Sequence, residues 1–475
     1  LFALHHGVHS QFMPDWYARG YTPAGIEVWN AIRAIDYLET RPEVDKTKIG
    51  MTGRSGGAAM TWFTAAVEPR IKVAVPVMGI STYAANVKAN TQEHHCDCMF
   101  CINVYKHDMT HQGAHIAPRP LLMAHGEKDP LFPVPGYTEF EQLLTRLYAA
   151  YNRPDAFRNI VVPTGHADSD FLREQAIRWF DKFLMAIPER KLDMDYSNAP
   201  PEQLAVFAGK TPADARNHTI HETFTTRPPS GLYQTAAQWQ TRRVALDAAI
   251  QKLLPPDGPI APPRTEIYKP QPRPAKVPAL LYIACDGDNR DYHRLALAGV
   301  HTKNTAVRMA VYPIGIDEIP WPNLFQRDTL RNAMHIGETI DSLRLRDVRA
   351  ALQQLREMPE VDPARIMIAG RGVSGILGLY AAILDPAIWQ VALIDPPTSH
   401  RHGPLFLNIL RHTDLPEAAA LLAPRRLIFY GHMPKEYEYT RHVYTLLGQP
   451  GHLSVAMNLE YVLEGRYDHG MASGR

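Results

Sequence analysis

Residues 34–54 recur in diverged form at 351–371, and this repeat limits the possible folds more than any other feature. Ala34, Ile35, Leu38, Pro42-Glu43-Val44-Asp45, Ile49 and Gly53-Arg54 have counterparts at the same spacings in Ala351, Leu352, Leu355, Pro359-Glu360-Val361-Asp362, Ile366 and Gly370-Arg371. Further on, Ala117-Pro118-Arg119-Pro120-Leu121 is matched by Ala423-Pro424-Arg425-Arg426-Leu427. Two matched blocks in the same order indicate two copies of one fold in tandem. The first block reads as helix, turn and strand. Val28, Ile32, Ile35 and Leu38 share a helical face, with Thr22-Pro23 as N-cap and first-turn proline. Helices alternating with short apolar strands predict parallel α/β layers.

The copies are expected over residues 1–185 and 276–475, joined by a Pro-rich connector at 186–275. The connector should hold one helix near 235–254, because Trp239, Leu246, Ile250 and Leu253 fall on one face. That stripe must pack on a domain rather than face water. Copy 2 opens with two apolar strands, 278–284 and 307–312, whose equivalents do not precede copy 1 in this sequence. Copy 1 is therefore expected to lack its N-terminal strands here. A chain of 475 residues with 45% hydrophobic and 21% charged residues can bury two cores. A net charge of +1 gives no electrostatic case for nucleic acid or an anionic membrane as partner. No apolar run approaches the roughly 20 residues that span a bilayer.

At the end of the first repeated block stands Gly53-Arg54-Ser55-Gly56-Gly57, between the apolar run 49–52 and the small-residue helix 58–63. The predicted local structure is strand, sharp turn, helix, with a serine at the tip. Glycines flank it because Cβ atoms there would block the close strand–helix approach. Asp129 follows the apolar run 120–124, and His166 follows 160–163. Each thus lies just past the carboxyl end of a predicted strand, where open α/β sheets place their sites. Serine needs a base, and the base an orienting carboxylate. The reading is Ser55 as nucleophile, His166 as general base and then acid, Asp129 as orienter, and the Gly56 N–H as one oxyanion donor. Glu127 is the nearest rival acid. As alternatives, Ser55 or Asp129 is an ordinary turn residue and His166 a surface loop histidine, one of 22 histidines.

His94-His95-Cys96-Asp97-Cys98-Met99-Phe100-Cys101, with His107 and His111 nearby, is the other conspicuous stretch. Zinc ligation is one reading, a disulfide another, but Cys96-x-Cys98 is tighter than the usual ligand spacing. The favoured reading is a packed loop in which His95, Cys96, Asp97 and Cys98, with Arg54, shape the site, and no metal is assigned. In copy 2, Gly372 takes the place of Ser55 and Lys435 that of Asp129, while Ser374 falls one turn into the helix. Copy 2 therefore reads as a degenerate, non-catalytic domain, with His469 a relic of a base or a tail residue.

The run Arg19-Gly20-Tyr21-Thr22-Pro23-Ala24-Gly25 with Glu27-Val28-Trp29-Asn30-Ala31-Ile32-Arg33-Ala34 resembles the acetyl xylan esterase-like α/β-hydrolases, relatives of dienelactone hydrolases and prolyl oligopeptidases. Thr52-Gly53-Arg54-Ser55-Gly56-Gly57 and His95-Cys96-Asp97-Cys98-Met99-Phe100 are similar to that group's motifs as well. The resemblance covers about residues 5–185 and continues, more faintly, through the connector and copy 2. It implies two α/β-hydrolase-like parallel-sheet domains in tandem. It also implies a Ser55–Asp129–His166 triad without a cofactor, a short-acyl ester of a carbohydrate or a small ester as substrate, and a secreted or periplasmic setting. A prolyl oligopeptidase-like peptidase and a non-catalytic pseudo-hydrolase scaffold are the competing expectations. Acyl group, sugar and oligomeric state are not encoded in any motif.

Overall fold

A computed structural model describes residues 15–91, 95–96, 99, 102–195, 197, 199–207, 210, 212–216, 231–255, 258, 261–270, 276–285, 306–316 and 323–457. The chain divides into two compact units. The first comprises 1–13, 21–225 and 334–337, the second 14–20, 226–333 and 338–475. The predicted connector is thus shared between the two units.

The first unit is built on four parallel strands in sequential order, β1 (Ile49–Arg54), β2 (Ile71–Val77), β3 (Leu121–Gly126) and β4 (Phe157–Val162). Parallel strands need crossovers. Helix α1 (Pro23–Thr40) leads into β1, α2 (Gly56–Val67) joins β1 to β2, α3 (Val134–Ala150) joins β3 to β4, and α4 (Asp170–Phe180) follows β4. Side chains alternate across the sheet, so two cores form. Ala74, Leu121 and Met123 pack with Trp62 and Phe140 on one face. Val73, Val75, Leu122, Ile160 and Val162 pack with Leu172 and Trp179 of α4 on the other. The result is a three-layer α/β/α arrangement with every strand's carboxyl end on one edge.

In the second unit, β5 (Arg264–Tyr268), β6 (Val277–Ile283), β7 (Val307–Tyr312), β8 (Val361–Arg371), β9 (Gln390–Ile394), β10 (Arg426–Tyr430) and β11 (Leu453–Ala456) form one sheet. Its order is β11-β10-β9-β8-β6-β7-β5, parallel throughout except for β5 against β7. The row β8-β9-β10-β11 repeats β1-β2-β3-β4, and β6 and β7 extend it beyond β8, the order of an α/β-hydrolase sheet. Among the described residues no strand lies beyond β1. The connector helix α5 (Ala236–Leu253) belongs to this unit. It buries Trp239, Leu246 and Ile250, the face expected for it, and Arg242 makes a bidentate contact with the buried Glu417.

The N-terminus of α1 forms as read: the Thr22 hydroxyl accepts from the Gly25 N–H at 3.0 Å and Pro23 occupies the first turn. Its apolar face departs from expectation. Ile35 is buried, but Leu38 is 38% exposed, whereas its counterpart Leu355 in α6 (Ile340–Arg356) is fully buried. The cause is the sheet. Strands beyond β8 give α6 a surface to cover, and the described part of the first sheet stops at β1. Leu355→Ala should therefore cost about 2–5 kcal/mol and Leu38→Ala under about 1 kcal/mol. Urea unfolding of the two variants measures the difference.

Candidate active site

Ser55 stands between β1 and α2 with φ 57° and ψ −120°. A non-glycine residue there carries about 1–3 kcal/mol of strain. Three contacts hold it. The Ser55 N–H donates to Val77 O at 3.0 Å, and its carbonyl accepts from Ala58 N–H and Ala59 N–H at 2.9 and 3.1 Å. Neighbouring glycines leave the necessary room. A Cβ on Gly53 would lie 2.5 Å from Gly57 backbone, and one on Gly79 only 2.2 Å from the Ser55 carbonyl oxygen. A serine before a helix normally caps it from an extended backbone. Here the side chain makes no capping bond, so the hydroxyl is not consumed by the turn. Gly56 is the first helical residue, where an amide N–H has no intrahelical acceptor.

Asp129 follows β3 and His166 follows β4, and these two are brought together. His166 Nδ1 lies 2.8 Å from Asp129 Oδ2. Nitrogen donates to the carboxylate, which leaves Nε2 as the ring's basic atom. The other carboxylate oxygen, Oδ1, accepts the Leu131 N–H at 2.9 Å. Asp129 is thus both the turn residue of Asp129-Pro130-Leu131 and the imidazole's partner. Its side chain is 1% exposed, and that of His166 is 20%. Glu127, the rival acid, is exposed, and among the described residues no hydrogen bond or ion pair joins it to the ring. The loops carrying the pair are stitched by backbone bonds from Glu127 N–H to Val162 O (2.8 Å) and Lys128 N–H to Thr164 O (3.0 Å). A Cβ on Gly126 would sit 2.6 Å from the carbonyls of Thr164 and Gly165.

All three residues therefore leave the same edge of one sheet. Among the described residues, no hydrogen bond joins Ser55 Oγ to His166. Such contacts are often long without substrate and tighten when it binds. The two loops do touch, since Arg54 Nη1 donates to His166 O at 3.3 Å.

Of the histidine–cysteine loop, His95 and Cys96 are described, and His94, Asp97, Cys98 and Cys101 lie outside the described residues. Cys96 is disulfide-bonded, so its sulfur is not a thiolate ligand. Buried His95 donates Nε2–H to Leu131 O at 2.9 Å, and its ring stacks on Phe132 at 4.9 Å. Phe132 in turn lies 5.8 Å from the His166 ring. The loop thus braces the imidazole from behind. His107 and His111 stack on the surface at 5.0 Å. Among the described residues no group of three His, Cys, Asp or Glu could hold a metal ion, and no helix is long and apolar enough to cross a membrane.

Sequence reasoning missed Phe132, three residues past Asp129, and Gly79, the glycine just after β2. It also missed His125 on β3. That ring is buried, stacks on Tyr137 at 4.3 Å, and neither nitrogen has a hydrogen-bond partner. Burial lowers its pKa from the ordinary 6.5 to about 3.

In the second unit the corner persists without the hydroxyl. Gly372 has φ +56°. Ser374 is buried and donates its hydroxyl to Ala284 O at 2.8 Å, which turns it into the core. Lys435 opens a short 3-10 turn where the first unit has Asp129. His469 lies outside the described residues.

Residues 32–126 match a family model described as the C-terminal domain of BAAT / acyl-CoA thioester hydrolase. The "Putative hydrolase YtaP" of Bacillus subtilis (strain 168) is 30% identical over 176 residues, 37% of this chain. The chain spans 59% of that relative's length. Among solved structures, a "putative acetyl xylan esterase" from Bacteroides fragilis is similar at 16% identity and TM-score 0.38, covering 51% of this chain and 82% of its own. A carbohydrate esterase family 15 glucuronoyl esterase from Caldicellulosiruptor kristjansonii is similar at 13% identity and TM-score 0.36, covering 50% and 87%.

Two outcomes follow from this packing. Gly79→Ala, which forces a methyl against the Ser55 carbonyl, should cost about 1–3 kcal/mol by overpacking and displace the corner. Thermal unfolding and labelling of Ser55 by a fluorophosphonate report the two effects separately. His125 adds a pH slope. Its proton binds near pH 6.5 in the unfolded chain and near 3 in the folded one. Between those values the unfolded state takes up more protons, so stability falls on acidification by up to about 1.4 kcal/mol per unit. His125→Phe, which keeps the stack on Tyr137, should flatten that slope in denaturation curves between pH 6.5 and 4.

Proposed function

We propose that the first unit is a serine ester hydrolase that removes acetyl or other short acyl groups, with an acylated carbohydrate as substrate. The observation that carries this reading is the buried Asp129 carboxylate holding the His166 imidazole at 2.8 Å, on the strand edge that also presents an uncapped Ser55 hydroxyl at a strained corner. Strain and an unspent hydroxyl are hard to account for in a mere turn. The matches to a thioester hydrolase family model and to a hydrolase relative support ester or thioester cleavage as the reaction class. The carbohydrate rests on the sequence resemblance.

In the proposed cycle, Ser55 Oγ attacks the ester carbonyl carbon as its proton passes to His166 Nε2. Asp129 stabilises the resulting imidazolium through Nδ1. The Gly56 N–H, at the positive end of α2, faces the oxyanion. Collapse breaks the bond to the alcohol, which leaves with the proton from Nε2, and the acyl group stays on Ser55. Water then gives a proton to His166 as its oxygen attacks the acyl carbon, and collapse breaks the bond to Ser55 Oγ, which takes that proton back from Nε2 as the acyl group leaves as the free acid. Ser55→Ala should lower turnover of an acetyl ester by on the order of 10⁵–10⁶, and Asp129→Asn by on the order of 10⁴. Acetate release from acetylated xylan and from a generic acetyl ester measures both. Equal rates in wild type and Ser55→Ala would end the proposal.

A further inference from the structure

Arg54 is exposed and immediately precedes Ser55. Its hydrogen bond to His166 O draws the guanidinium across the strand ends, from the serine toward the imidazole loop. That bond uses one of five donors. Among the described residues no carboxylate pairs with Arg54. The nearby carboxylate of Asp129 already has both oxygens engaged, one with His166 and one with the Leu131 N–H.

The second unit supplies an internal control. Arg371 holds the same place at the end of β8, just before the positive-φ residue Gly372. The next corner is matched as well. Asp395 follows β9 with φ 44°, and Met78 follows β2 with φ 51°. In the registers of the two sheets Arg371 lies opposite Ile394 and Arg54 opposite Val77, so Asp395 and Met78 occupy equivalent positions. Arg371 Nε lies 3.5 Å from Asp395 Oδ2. The unit without a nucleophile therefore neutralises its arginine. The unit with Ser55 replaces that carboxylate with a buried methionine, which leaves the cation beside the serine.

A guanidinium with unspent donors in a planar fork matches a carboxylate. We propose that Arg54 binds a carboxylate on the substrate, so that the site prefers esters of acidic sugars over neutral ones. This rests on the esterase reading above and adds the charge of the substrate to it.

The test uses a matched pair, O-acetylated methyl glucoside and O-acetylated methyl glucuronoside, which differ in one charged group. Wild type should favour the acidic ester in kcat/KM by about two- to fivefold at low ionic strength, the scale of an exposed ion pair. The preference should shrink as salt rises. Arg54→Gln should bring the ratio close to one, with the loss in KM for the acidic ester, and Arg54→Lys should keep part of it. A ratio identical in wild type and Arg54→Gln overturns the proposal. So does an equal loss on both esters, because a residue that only steadied the His166 loop would slow both alike. Rates unchanged by Ser55→Ala would instead remove the esterase reading itself, and this proposal with it. A Ser55-dependent enzyme indifferent to Arg54 removes this proposal alone.

Discussion

The close approach of Gly79 to the Ser55 carbonyl fixes the rest of the first unit's site. With 2.2 Å left for a Cβ that is absent, the chain after β2 presses against the first turn of α2. The Ser55 N–H is thereby held on Val77 O and its carbonyl on the Ala58 and Ala59 amides. Those three bonds determine where α2 starts and keep the serine at positive φ. They also leave its hydroxyl outside the capping geometry that a serine at a helix start would otherwise adopt. Loosen that contact and Ser55 can relax into an ordinary N-cap, with its oxygen spent on the helix.

The second unit separates what the corner needs from what the site needs. Gly372 adopts the same φ at no steric cost. Glycine is thus the residue the fold alone would select, and a serine there is strained. The bonds at the opposite, amino-terminal edge of the sheet are the same in both units. Arg119 donates to Glu68 O and Ile71 O at 3.1 and 2.8 Å, and Arg425 donates to the matching Asp385 O and Ile388 O at 2.9 and 3.2 Å. Tyr148 and Tyr444 each donate to the carbonyl of that arginine. Scaffold bonds persist because a buried donor left unmade costs either unit alike. The serine and the acid differ between units because nothing in the packing demands them.

Much of this was legible in the sequence because it is local. A helix face, a strand's apolar run and a glycine-flanked serine are patterns within about twenty residues, and α1, β1, α2 and α5 follow them. Asp129 and His166 could be placed because each ends a strand, and parallel strands bring those ends to one edge. What stayed hidden depends on partners far along the chain. Leu38 reads as a core residue by its period and is exposed, since burial needs a neighbouring strand that periodicity cannot see. His125 carried no signal in the sequence, and it is sealed against Tyr137. The brace from His95 through Phe132 to His166 joins three segments, none of which signals the others.

The same division explains why the repeat was more useful than either copy. Extending the alignment of 34–54 with 351–371 by one residue showed where the corner had lost its serine, but the charge exchange at Met78 and Asp395 lies well beyond it. Asp395 and Met78 lie outside both matched blocks, and the sheet registers make them equivalent. A carboxylate at that corner would compete with any anion for the neighbouring arginine and would repel it besides. Replacing it with Met78 trades an exposed carboxylate for a side chain in the core and alters the potential beside Ser55. A duplicated fold thus tolerates divergence at its strand ends, while the arginine and tyrosine bonds at the opposite edge keep both sheets in register.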